Sequence, residues 1–77
     1  MVRVYVLIET QVAKTREVVE ALSKLDNVVS VDSVTGPYDA IAIVECETLQ
    51  KLGEYITSKV QTIRGISRTV CCVAVPV

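Results

Sequence analysis

The residues best suited to chemistry lie in one polar stretch between two apolar runs, Val34-Thr35-Gly36-Pro37-Tyr38-Asp39-Ala40. Gly36 opens backbone angles closed to other residues and leaves amides accessible, Pro37 fixes the turn that follows, and Asp39 adds an acceptor beside them. A zwitterionic ligand needs both halves of that chemistry: amide donors for its carboxylate and oxygen acceptors for its ammonium. The plainer alternative is a hairpin loop in which Asp39 bonds its own turn. Residue types alone leave both open. Cys71-Cys72 has the makings of a redox pair or soft-metal site, but strand alternation sends the two side chains to opposite faces, and cysteine among apolar neighbours behaves as a small hydrophobe. Glu45 and Glu47 share a strand face as paired acid/base carboxylates would, yet a strand end running into solvent accounts for them more simply. The chain has no histidine, no C-x-x-C and an odd three cysteines, so neither a metal nor a cofactor nor a disulfide framework is expected.

These residues need a scaffold, and hydrophobic periodicity outlines it. Over 2–9 the chain alternates, with Val2, Val4, Val6 and Ile8 on one face and Arg3, Tyr5, Leu7 and Glu9 on the other, the period of a strand. Over 15–25 Val18, Leu22 and Leu25 fall at helical spacing, and Asp26-Asn27 supplies a stop. A second strand is predicted over 28–35, with a bulge at Ser33-Val34, ended by Gly36-Pro37. A third over 40–46 is apolar on both faces, as a central strand is. Thr48 reads as the N-cap of a second helix carrying Leu49, Leu52, Ile56 and Val60, weakened by Gly53. Arg64-Gly65 turns the chain into a last strand over 66–75, closed by Pro76.

The order βαββαβ predicts an α+β, ferredoxin-like fold: right-handed crossovers put both helices on one face of a four-stranded antiparallel sheet. The 77 residues form one domain, since so short a chain cannot divide its interior between two cores. The strands are apolar on both faces, so the face without helices would be a liability in a monomer. A second copy is therefore expected to cover it, giving a dimeric α+β sandwich. No apolar run is long enough to span a bilayer, and the chain does not open with a basic segment followed by an apolar one, which points to a soluble, cytoplasmic protein without membrane contact. Eight basic against nine acidic residues, unclustered, argue against direct nucleic-acid binding.

Two stretches in one register carry a resemblance. Thr35-Gly36-Pro37-Tyr38-Asp39 before the apolar strand resembles the T-G-x-Y-D signature of the Lrp/AsnC ligand-binding (RAM) domain. Ile63-Arg64-Gly65-Ile66-Ser67-Arg68-Thr69 is similar to that family's I-x-G-V-x-R-T approach to its last strand. The likeness spans essentially the whole chain. It implies sheet-paired homodimers, assembled further into rings of dimers, and small effectors, usually amino acids, bound between subunits. Carried over by motif, the effector-binding residues are Gly36, Pro37, Tyr38 and Asp39 from the loop and Arg68 and Thr69 from the last strand. Where the family often has a threonine two residues beyond Thr69, this chain has Cys71.

Most members also carry an N-terminal helix-turn-helix. Here Met1 leads straight into the first strand, so a stand-alone amino-acid-binding and oligomerisation domain is expected, modulating transcription or metabolism through a full-length relative. The competing reading is a structural or heteromeric interaction module with no small ligand. An enzyme working on the open sheet face would need a proton-transfer residue or cofactor ligand there, and no catalytic residue is assigned.

Overall fold

The computed structural model describes residues 1–77. The chain runs β1 (Val2–Thr10), α1 (Thr15–Ser23), β2 (Val28–Ser33), β3 (Ala40–Cys46), α2 (Leu49–Tyr55) and β4 (Ile66–Val73), with a π-helical turn, Ile56–Val60, continuing α2. The four strands form one sheet in the order β2-β3-β1-β4, every neighbouring pair antiparallel. This is the expected ferredoxin-like βαββαβ architecture.

Alternation in β1 decides which side the helices take. Val4, Val6 and Ile8 are fully buried together with Ala40, Ala42 and Val44 of β3, beneath Val18 and Leu22 of α1 and Leu52, Ile56 and Val60 of the second helical segment. Each large side chain so buried contributes about 1.5–3 kcal/mol. The alanines matter as much by their size, because they leave room for helices over the middle of the sheet. Thr48 caps α2 as its position predicted, its hydroxyl accepting from the Lys51 amide at 3.1 Å.

Three details depart from the local pattern. The irregularity in β2 lies between Val28 and Ser30, not at Ser33-Val34. There the strand end is regular, because Ser33 still pairs with Ala40 and the Val34 amide bonds the Asp39 carbonyl. The π turn, closed by the Gln61 amide on the Ile56 carbonyl at 2.8 Å, has no counterpart in the periodicity. Leu49, expected on the inner helix face, is exposed, since α2 does not close against β4. An open apolar groove of about 310 Å³ remains between them, with Leu49, Leu52 and Ile56 on one wall and Cys71 and Val73 on the other.

The opposite face of the sheet carries no helix. Register places Tyr5 beside Ile43 and Cys72, and Leu7 between Ile41 and Val70. Two cross-strand pairs of opposite charge bracket these apolar residues, Arg3 with Glu45 at one end and Glu9 with Arg68 at the other.

Candidate functional site

Sheet topology brings the 36–39 loop and the start of β4 to the same end of the molecule. Ile8 is flanked by Ala40 on β3 and by Thr69 on β4, so the loop and the β4 residues stand on either side of β1. Adjacent strands are ~4.8 Å apart, which separates the two groups by roughly 10 Å. Within one chain they therefore share an edge of the sheet without closing on each other.

The loop is held from below. The Asp39 amide donates to the Ile8 carbonyl at 2.8 Å and the Val34 amide to the Asp39 carbonyl at 3.0 Å. The Asp39 side chain does not bond its own turn: its Oδ2 accepts from the Thr10 amide at 2.8 Å and from the Thr10 hydroxyl at 3.2 Å. That hydroxyl also lies 2.7 Å from the Thr15 hydroxyl at the start of α1. The half-buried carboxylate thus ties the loop to the end of β1 and the first turn of α1. Gly36 and Pro37 are exposed at the tip and Tyr38 is half-buried. Gly36 has φ +119°, a conformation that L side chains rarely adopt, although a Cβ there would meet nothing within 4 Å.

On β4 the two candidates part. Arg68 pairs across the strand with Glu9 on the open face, Nη1 to Oε2 3.7 Å, whereas Thr69 lies beside Ile8 and so shares the helix-covered face. The turn before them is fixed by Gly65, whose carbonyl accepts from the Gln11 amide at 2.7 Å. A third loop, 11–14, joins the cluster and carries Ala13 at φ +63°. That left-handed value costs about 1–2 kcal/mol for a residue with a Cβ.

Comparison with known proteins places this geometry. Residues 3–76 match the model of the Lrp/AsnC ligand binding domain. The chain belongs to the Lrp/AsnC ligand-binding domain family. An uncharacterised HTH-type transcriptional regulator of Pyrococcus abyssi is 38% identical to this Lrp/AsnC domain over 65 residues, 84% of the present chain and 41% of that regulator. The chain thus spans about two-fifths of the curated relative it matches. A hypothetical protein of Pyrococcus horikoshii superposes with a TM-score of 0.92 at 36% identity, over 99% of this chain and 92% of that one. AsnC of E. coli superposes with a TM-score of 0.91 at 25% identity, over 97% of this chain and 51% of that one. The curated relatives this chain matches, from Pyrococcus abyssi and Pyrococcus horikoshii, are named as HTH-type transcriptional regulators.

In this Lrp/AsnC domain, sequence reasoning passed over Glu9, Thr10 and Thr15. The threonine hydroxyls carried no local signal, because their role depends on Asp39 arriving from 29 residues away from Thr10. Glu9 read as the polar end of a strand face. Only the register shows that it stands between the loop and Arg68. The groove between α2 and β4 lies at the other end of β1, beside Val4, and is separate from this site. Cys71 lines that groove, and burial first, the neighbouring Cys72 second, push its thiol pKa up, which disfavours the reactive thiolate. No helix is long and apolar enough to cross a membrane.

Proposed function

We propose that this domain binds a small amino acid at the sheet end formed by Gly36, Pro37, Tyr38, Asp39, Arg68 and Thr69, and that it works as an oligomer joined through the open sheet face. In the cytoplasm it would modulate transcription or metabolism through a partner, a full-length relative being the natural one. The observation that carries the reading is the sheet face itself. It is apolar at Tyr5, Leu7, Ile41, Ile43, Val70 and Cys72, it has no helix over it, and the polar loop stands at its margin. A second copy laid on that face would remove the apolar residues from water and bring its own loop and β4 residues close, supplying from two chains the enclosure that one lacks. Further association of such dimers into a ring is part of the same proposal.

One observation favours a second reading, a purely structural interaction module: Asp39 spends Oδ2 on Thr10, as a latch with no ligand would. A thermal-shift screen against the proteinogenic amino acids, followed by calorimetry on any hit, separates the two. A ligand present at 100 times its dissociation constant adds about 2.7 kcal/mol if it binds only the folded state. For a domain of this size that raises the melting temperature by roughly 10 °C or more. No shift with any amino acid rejects the effector reading in favour of the interaction module.

A further inference from the structure

The apolar groove of about 310 Å³ between α2 and β4 is lined on two sides only, by Leu49, Leu52 and Ile56 of the helical segment and by Cys71 and Val73 of the strand. Its outer side is open. Beside it, residues 74–77 run off the end of β4 with their apolar side chains in water, Val75 being 70% exposed. The Ala74 amide still donates to the Arg3 carbonyl at 2.8 Å, so the backbone continues in line with β4 beyond its last strand residue. Alternation then puts Val75 on the same side as Cys71 and Val73, the side the groove opens on. It extends that apolar row past the groove of its own chain.

The backbone at this end is unpartnered as well. β4 is last in the sheet order, so its outer edge meets no strand. With the Ala74 amide turned towards β1, the pairing pattern of an antiparallel ladder turns the amides of Val73 and Val75 outwards. Pro76, which has no N–H, shares the inward parity of Ala74, and the outer edge loses no donor to it. Edge strands are commonly guarded by charged side chains, yet residues 70–77 carry none.

We propose that β4 and residues 74–77 form a docking edge for a second copy of this chain, laid antiparallel so that Val75 of each copy stands opposite Val73 of the other. Directly opposed residues share a face, so each Val75 enters the other copy's groove from its open side. The contact is isologous, every copy both giving and receiving the valine. It uses a surface separate from the sheet face and from the effector site proposed above, and it holds or fails without either. An edge this short binds weakly, so it joins units at high concentration.

Cys71 lines the groove, and its thiol therefore reports whether the groove is filled. The test is maleimide labelling of Cys71, located by mass spectrometry, from low micromolar to several hundred micromolar protein, with sedimentation at each concentration. At ten times the dissociation constant of the contact, wild-type labelling should slow about tenfold as larger species appear. Val75→Glu, at an exposed position outside the core, should abolish the slowing and the larger species while keeping the wild-type fold and low-concentration state. Val75→Ile should retain both. Ile43→Glu, which charges the sheet face, should still show the slowing at high concentration, so failure of sheet pairing and failure of this contact read out separately. Labelling of wild-type Cys71 that does not depend on concentration overturns the proposal. Slowing that persists in Val75→Glu overturns it too, because something other than Val75 then fills the groove.

Discussion

Gly36 and Gly65 both occupy positive φ, +119° and +104°, but for different reasons. Around Gly36 the space is open, so only the backbone conformation demands glycine. At Gly65 a Cβ would come within 3.0 Å of Val18 Cγ2 and 3.1 Å of Lys14 Cβ, so conformation and space both demand it. Gly36→Ala is thus expected to cost about 1–2 kcal/mol, the strain of the conformation alone. Gly65→Ala adds crowding against α1 and should cost about 3 kcal/mol or more. Urea denaturation of the two variants checks this, and equal losses would show that the contact with Val18 relaxes freely. Much at this scale was legible in the sequence: Gly36 as a turn with unusual backbone and Thr48 as a cap are local signatures. The partner of Asp39 and the setting of Glu9 were not legible, because hydrogen bonds and ion pairs across strands depend on register, which no single stretch encodes.

Among the elements, β3 was the most legible. Its bounds and its apolar character on both sides were plain, since a strand between two others must bury one face and leave the second for another layer. The second helix was the least legible. Its α-helical part ends at Tyr55 and a π turn carries Ile56 and Val60 into the core, a change of winding that apolar spacing cannot reveal when both geometries bury the same residues. The hydroxyls of Ser58 and Thr62 bond back to the Glu54 and Ser58 carbonyls there, competing for acceptors along the segment. Gly53 lies just before it, with nothing within 4 Å of where its Cβ would stand. Gly53→Ala is therefore expected to stabilise the domain by about 0.5–1 kcal/mol through the lower backbone entropy of the unfolded chain. The melting temperature should rise by a few degrees; a fall would show that another body occupies that face of α2 in the assembled protein.

Taken whole, the molecule has one finished core and one unfinished face, and the proposed pairing of sheets makes a direct prediction. Ile43→Glu places a charge in the middle of the open face, beside Tyr5, without touching the core beneath the helices. Sedimentation at low micromolar concentration should show wild type as a dimer or a multiple of one, and the variant as a folded monomer. A wild-type monomer would remove the sheet-pairing proposal. The strand order β2-β3-β1-β4 has a consequence of a different kind. The two βαβ halves are interleaved: β3 from the second half separates the strands of the first, and β1 from the first separates those of the second. Neither half has a sheet of its own to keep if the other lets go. Local opening is thereby confined to loop tips, and the backbone amides of β1 and β3 should exchange with solvent only when the entire domain unfolds. A small molecule held at one rim of the sheet would consequently slow hydrogen exchange throughout the central strands, including at residues far from any contact with it.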